Sequence, residues 1–374
     1  MTLRIGVDAS RVGGRLRTGT EQYSAQLLEA LGELDRRNRY TLYVNGRARP
    51  PLRLPPNFRA RLIPFARAWT HARLSLELAR RPPDVLFVPA HVVPLLHPPT
   101  VVTIHGLEYR AFPEAYPPLA RRSLDWSTRW SAAVARRVIV PSEATARDLT
   151  AAYGTPAERI VVVPHGYHPR FRPLPPDDVR SGLARLGIEQ PYVLFVGTLQ
   201  PRKNLARVLE AFGSVVARGL PHRLVLVGQR GWLADPIFAA VRDAGQAARE
   251  RIHLTGYLAD EELPLVYTGA DALVFPSLYE GFGLPALEAM ACGTPVLTSD
   301  TSSLPEVVGD AALTVNPLDT AAIATGLERL ATDESLRREL RGRGLARAAR
   351  FTWRRAAEQT LAVLEGVGHE VSTR

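Results

Sequence analysis

The sequence predicts an α/β protein of two doubly wound, Rossmann-like domains facing each other across a cleft, and three features carry that expectation. Short apolar runs of strand length alternate with stretches of helical spacing, the mark of a mostly parallel sheet covered on both faces. The alternation occurs twice. Between the halves lies His165-Gly-Tyr-His-Pro-Arg-Phe-Arg-Pro-Leu-Pro-Pro-Asp177, whose proline density suits a connection. With 374 residues, 46% hydrophobic and 22% charged, the chain has material for two cores.

Taken in order, Leu3-Arg-Ile-Gly-Val7 opens the first strand, Arg4 to Asp8, and a glycine-bearing loop then leads to a helix starting near Glu21. Further strands are expected at Tyr40 to Val44, Val85 to Val88, Val101 to Ile104, Val138 to Val140 and Ile160 to Val163. The second half offers Tyr192 to Val196, Arg223 to Val227, Ile252 to Leu254, Ala272 to Phe275 and Val296 to Thr298. The expected division is a first domain over 1–166, a linker and domain entry over 167–190, a second domain over 191–350 and a C-terminal helix over 351–374.

The most informative segment is Glu280-Gly-Phe-Gly-Leu-Pro-Ala-Leu-Glu288. It follows the apolar strand at Ala272 to Phe275, and Pro285 suits the first turn of a helix after a glycine-containing turn. The free N–H groups near Phe282, Gly283 and Leu284, with the helix dipole, can hold a phosphate or sugar oxygens. Glu280 and Glu288 can accept hydrogen bonds from hydroxyls.

Lys203 is the only lysine among the 47 basic residues. In a chain that otherwise uses arginine, its survival suggests a need for a compact ammonium charge. It stands in Val196-Gly-Thr-Leu-Gln-Pro-Arg-Lys-Asn204, after a strand and before a helix beginning near Leu205. Strand, glycine turn, cation pair and helix together suit a diphosphate clamp. In the first domain, Gly13-Gly14 and Gly19-Thr20 lie in a loop able to bring backbone N–H groups to an anion, although the register is not G-x-G-x-x-G. His105 ends the run Val101-Val-Thr-Ile-His105; His91, His165 and His168 have no comparable sequence support.

The Glu280–Glu288 segment resembles the signature of the retaining glycosyltransferases with an E-x7-E motif, family 4-like and group 1, and the resemblance covers nearly the whole chain. It implies the two-domain GT-B architecture, with an N-terminal acceptor domain, a C-terminal nucleotide-sugar domain and a helix at Thr352 to Leu364 crossing back to the first. It also implies that Glu280 lies by the transferred sugar, that Glu288 binds the ribose and that Arg202 and Lys203 neutralise the departing diphosphate. Thr198 stands where some members carry arginine. Gly14, Gly19 and Thr20 would meet the donor, and His105 would contact its sugar. The implied reaction is metal-independent hexosyl transfer with retention, needing no cofactor, from a nucleotide sugar to a glycan or lipid-linked acceptor. Thr18-Gly-Thr-Glu-Gln-Tyr23 looks like the corresponding stretch of polysaccharide mannosyltransferases, which puts GDP-mannose ahead of a UDP-hexose.

Charge is unevenly distributed. Through Gly166 there are 24 arginines against 13 acids, and beyond it 23 basic residues against 24 acids. The excess suits an anionic acceptor or an acidic membrane surface. Two basic aromatic stretches stand out, one with Arg61, Arg67, Trp69, Arg73, Arg80 and Arg81, the other with Arg121, Arg122, Trp126, Arg129, Trp130, Arg136 and Arg137. Either also reads as a solvated helix face, and Trp69, Trp126 and Trp130 are the candidate membrane anchors. No signal peptide or membrane-length apolar run appears, so the expected location is cytoplasmic, with room for peripheral binding to the inner face of the membrane. The lone Cys292 reads as packing, and no zinc-like spacing is present. Three other classes fit less well: an epimerase of the same architecture needs acid and base groups at the sugar carbon, a nucleic-acid binder lacks a recognition motif, and a pyridoxal-phosphate phosphorylase would have only Lys203 for its Schiff base.

Overall fold

Two parallel sheets organise the chain, each within its own unit. The computed structural model describes residues 2–12, 19–46, 52–231, 233, 235, 237, 239, 241 and 245–372; Gly13 and Gly14 lie outside these residues. One unit comprises Met1–Gly166 with Phe351–Arg374, the other Tyr167–Arg350.

The first unit contains β1 (Arg4–Asp8), β2 (Arg39–Val44), β3 (Phe58–Leu62), β4 (Val85–Val88), β5 (Thr100–Thr103), β6 (Arg137–Val140) and β7 (Ile160–Val162). They pair in the order β3-β2-β1-β4-β5-β6-β7, every pair parallel. One face carries Ile5, Val7 and Leu42 under helices Gly19–Leu34 and Trp353–Ser372, which supply Tyr23, Leu27, Trp353 and Leu364. The other carries Leu86, Val88, Val102 and Val138, covered by Ala132 of helix Pro118–Val134 and by Leu149.

The second unit contains β8 (Tyr192–Val196), β9 (Arg223–Val227), β10 (Ile252–Gly256), β11 (Ala272–Phe275), β12 (Val296–Ser299) and β13 (Leu313–Val315), ordered β10-β9-β8-β11-β12-β13 and again wholly parallel. Every residue of β8, β11 and β12 is buried. That is why these strands read as unbroken apolar runs instead of alternating ones.

Both sheets reverse direction of growth at one place, between β1 and β4 and between β8 and β11. At such a switch point the connections leave for opposite faces, so the loops beyond the strand ends open a crevice. In the second unit those loops are 197–204 and 276–283. Gly228, at φ 148°, lets the ends of β8 and β9 close up there: a Cβ on it would sit 2.0 Å from the Gly197 carbonyl oxygen.

The strand expectations hold to within a residue or two. Two strands were not foreseen, β3 with sequence FRARL and β13 with LTV, both at sheet edges. The first helix begins at Gly19, so Gly19 and Thr20 belong to its first turn and not to the preceding loop. No helix among the described residues is long and apolar enough to cross a membrane.

Candidate active site

In the second unit, the loop after β8 ends in a short helical turn, Pro201–Lys203. Asn204 closes that turn in the left-handed region, at φ 60°, and its amide nitrogen donates to the carbonyls of Pro276 and Pro317 at 3.0 and 2.6 Å. Leu278 N–H donates to the Arg202 carbonyl at 2.9 Å. The two switch-point loops are thereby tied together by one backbone hydrogen bond and by the neutral Asn204 amide before any charged side chain is considered.

The charged groups follow from that tie. Lys203 Nζ lies 2.6 Å from Glu280 Oε1 and 4.7 Å from the Phe275 ring centroid, and Arg202 Nη1 lies 3.0 Å from Glu280 Oε2. Arg202 also donates to the Tyr279 carbonyl. Ser303 Oγ donates to the carbonyls of Glu280 and Phe282 at 2.8 and 2.9 Å, and Glu280 N–H donates to Ser302 Oγ at 3.0 Å. Burial alone would raise the Glu280 pKa, yet Arg202 and Lys203 outweigh it and bring the carboxyl down to about 2.

Gly283 ends this loop at φ 103°, a conformation suited to glycine, and helix Leu284–Ala291 begins directly after it with Pro285 in its first turn. Glu288 sits on that helix, 7% exposed, and accepts from the Tyr267 hydroxyl at 3.0 Å. Burial, with Asp260 adding to it, pushes its carboxyl up to about 8 against the opposing Tyr267 hydrogen bond and Arg170 charge. Environment, and not residue type, thus pushes the two carboxyl pKa values of the motif in opposite directions. Cys292, buried behind this helix, has its thiol pushed well above the usual range by burial. Its placement agrees with a packing role.

In the first unit, three histidines gather beyond the ends of β4, β5 and β7. His105 Nε2 is 2.8 Å from the Pro89 carbonyl, so that nitrogen carries the proton, and Nδ1 faces His165 Nε2 at 3.4 Å. The His105 backbone N–H points to His91 Nε2 at 3.4 Å. Tyr23 lies 4.6 Å from the rings of both His105 and His165, and its hydroxyl meets Thr103 Oγ1 at 3.1 Å. Burial lowers all three histidine pKa values, that of His165 to about 3. Neighbouring His165 and His91 depress His105 further.

Comparison with known proteins decides the family. The model for glycosyl transferases group 1 matches residues 184–347, and that for Glycosyltransferase Family 4 matches residues 17–171. The chain is 36% identical over 264 residues to the O-antigen chain mannosyltransferase B of Escherichia coli, a match covering 70% of this chain and 68% of that one. This protein is a group 1 glycosyltransferase. It is also 34% identical over 181 residues to a serotype-specific mannosyltransferase WbdA of Escherichia coli, although that match spans only 48% of this chain and 22% of the relative. The fold is GT-B. A sucrose-phosphate synthase from Thermosynechococcus elongatus matches 98% of the chain and 99% of its own length with a TM-score of 0.78 at 21% identity. WaaG, a glycosyltransferase involved in lipopolysaccharide biosynthesis, matches 97% and 100% with a TM-score of 0.74 at 18% identity.

Within the second unit of this glycosyltransferase, the structure joins Arg202, Lys203 and Glu280 directly, and carries Phe282, Gly283, Leu284 and Glu288 on the same loop and helix. His105, Gly19 and Thr20 belong to the first unit. Thr20 spends its carbonyl on Ser24 Oγ at 2.9 Å. His91 and His165, which have less support in the sequence than His105, join it in the fold. The available signal was their position, since each follows closely on a strand of the same sheet, as His105 does. Among the described residues no group of three or more histidine, cysteine or acidic side chains could hold a metal ion.

The basic aromatic stretches part company here. Trp69 is buried, with its indole N–H donating to the Ile63 carbonyl at 2.8 Å, and Arg61 and Arg73 pair with buried Glu77 at 2.6 and 3.2 Å. Trp69 is a core residue and not a membrane anchor. Trp130 is half-buried and donates its indole N–H to the Val93 carbonyl at 3.1 Å, whereas Trp126 is 51% exposed.

Proposed function

We propose that this glycosyltransferase moves mannose, with retention and without a metal ion, from GDP-mannose to a hydroxyl of a glycan or lipid-linked acceptor. The observation that carries the reading is the Arg202–Lys203 pair closed on Glu280 beyond the ends of the two switch-point strands. Two fixed cations beside a helix N-terminus suit a diphosphate whose charge grows as it leaves, which is electrostatic catalysis by preorganised donors. Glu288, already hydrogen-bonded to Tyr267, suits the ribose hydroxyls. His105, Gly19 and Thr20 are proposed for the donor's sugar and phosphates, with Gly14 beside them in sequence. A sugar hydroxyl on the His105 ring would replace one of its present partners.

In this mechanism the C1–O bond to the diphosphate breaks and the acceptor oxygen joins C1 on the same face. The acceptor's hydroxyl proton passes to an oxygen of the departing diphosphate. No carboxylate is assigned as a covalent nucleophile. Mannose is favoured by the Thr18–Tyr23 stretch and by the relatives named as mannosyltransferases. A UDP-hexose is the second reading, supported by the similar Anabaena HepE, solved with UDP and glucose (TM-score 0.75, 17% identity). The proposed location is the cytoplasm, against an anionic inner membrane face, on the strength of the 24 arginines and 13 acids through Gly166.

The test is a thermal-shift panel of GDP-mannose, UDP-glucose and UDP-N-acetylglucosamine, followed by NMR of the anomeric linkage formed with and without acceptor. A donor at a hundred times its Kd should stabilise by about 2.7 kcal/mol. Stabilisation by none of them would remove the donor reading, an inverted linkage would remove retention, and sugar conversion without acceptor would favour an epimerase.

A further inference from the structure

We infer that a basic pocket on helix Pro118–Val134 of the first unit is a binding site for a phosphate or diphosphate ester. The pocket, about 440 Å³, lies between that helix and the short helix Glu108–Ala111 and presents Arg110, Arg121, Arg122 and Arg129 with a single carboxylate, Asp125. That carboxylate is already committed. Asp125 Oδ1 lies 3.1 Å from Arg110 Nη1 and accepts from the Tyr153 hydroxyl at 2.9 Å, while the Tyr109 and Tyr153 hydroxyls meet at 2.8 Å.

Arg121, Arg122 and Arg129 have no carboxylate within ion-pair distance among the described residues, although surface arginines elsewhere on the chain, such as Arg4 and Arg218, do. Arg122, Asp125, Trp126 and Arg129 follow the spacing that brings side chains onto one helix face. Arg110 and Arg129 both lie over the Tyr153 ring, their guanidinium carbons 5.0 and 5.6 Å from its centroid. Arg121 and Arg122 stand near the helix N-terminal end, whose dipole is itself positive, and no acidic residue occupies its first turn. Left alone, this crowding of positive charge is unfavourable. An oxyanion relieves it, and guanidinium forks match the geometry of phosphate oxygens.

Trp126 adds an apolar element to the lining: it is 51% exposed and stacks on Trp130 at 6.3 Å. A phosphate ester on a soluble acceptor and one in a lipid headgroup share the chemistry that this pocket recognises. The proposal rests on the transferase reading for the ligand's role as acceptor or membrane lipid, but not for the binding itself.

Tryptophan fluorescence tests it in the Lys203→Ala protein, where the proposed donor clamp is weakened, with Trp126→Phe identifying the signal that belongs to the pocket. Pyrophosphate is titrated at constant ionic strength, and vesicles of phosphatidylcholine with and without phosphatidylglycerol form the second arm. The expected result is a saturable change lost with Trp126→Phe. It should weaken about tenfold or more in Arg121→Ser/Arg122→Ser/Arg129→Ser, and measurably in Arg122→Glu alone, with circular dichroism unchanged. A response to pyrophosphate supports a soluble phosphate ester, and a response only to anionic vesicles supports a lipid headgroup. Equal affinity in the folded arginine variants, or no response in either arm, would overturn the proposal. Loss of donor-induced thermal stabilisation in the otherwise unaltered protein, with this response intact, would instead count against the donor reading alone.

Discussion

Lys203 Nζ sits 2.6 Å from Glu280 Oε1, with each side chain only 9% exposed, so the chain's single lysine is paired with the first carboxylate of the E-x7-E segment. An incoming diphosphate meets a cation that already has a partner. The ion pair keeps two buried charges compatible with the fold while the donor is absent, and the donor's own charge must compete with it.

Lys203→Ala should lower kcat/KM by roughly 2 to 4 kcal/mol, the scale of losing one preorganised donor to a developing anion. It should also destabilise the protein, by less than the roughly 3 to 5 kcal/mol of stranding a buried charge, because Arg202 still faces Glu280. Steady-state kinetics and urea unfolding measure the two effects. A loss in kcat/KM below about tenfold would make Lys203 a structural residue only.

Glu280 and Glu288 should shape the pH–stability curve in opposite senses. The Glu288 pKa is raised to about 8, so its contribution is full below the ordinary carboxylate range and is lost as pH rises through 8. Glu280 is depressed to about 2, so its contribution is present above the ordinary range and is lost as pH falls toward 2. Melting temperatures between pH 5 and 9 should therefore fall less steeply for Glu288→Gln than for the parent protein. Parallel curves would show that Glu288 is ionised throughout.

Kinetics should also distinguish the two carboxylates. Glu288→Ala is expected to weaken donor binding, and Glu280→Ala chiefly to lower turnover. Binding measured by calorimetry beside kcat provides the comparison, and unchanged values for both variants would remove the site assignment.

Gly283→Ala should cost about 1 to 3 kcal/mol for placing a side chain at positive φ, and its Cβ would meet Leu304 Cδ2 at 2.6 Å. Because the loop carrying Glu280 ends there, activity should fall as well. Full activity in a stable Gly283→Ala protein would show that the loop tolerates a different path.

His105 should remain a neutral imidazole protonated on Nε2 from pH 5 to 8, since burial and its histidine neighbours hold its pKa well below the ordinary value and the Pro89 carbonyl accepts from Nε2. Nitrogen-15 NMR of histidine-labelled protein reads the tautomer directly, and a titration near pH 6.5 would contradict the placement.

Much of this architecture was legible because parallel strands covered on both faces must be apolar throughout, as YVLFV and ALVF are. FRARL and LTV escaped notice because edge strands are only partly covered; the first carries arginines and the second is three residues long. Lys203 and the E-x7-E segment stood out through rarity and spacing. The histidine group did not, since Pro89, His91, His105 and His165 meet only after β4, β5 and β7, far apart in sequence, take their places in one sheet. Trp69 and Trp126 occur in similar basic stretches, but Glu77 draws two of the first stretch's arginines into ion pairs while Trp69 packs in the core. That distinction belongs to tertiary structure.

Helix Trp353–Ser372 completes the sheet of the first unit from the far end of the chain, where Trp353, Ala357, Leu364 and Val367 share a core with Leu3, Val7 and Tyr23. Synthesis runs in the opposite order. Residues 1–166 leave the ribosome with one sheet face covered by helix Gly19–Leu34 but lacking Trp353–Ser372, and must wait through the whole of Tyr167–Arg350, whose own core is contiguous in sequence. The second unit can therefore mature first, and the first remains exposed to aggregation or chaperone capture until the last helix emerges. A fragment cut at Gly166 would keep that exposure permanently, whereas supplying 351–374 in trans should relieve it.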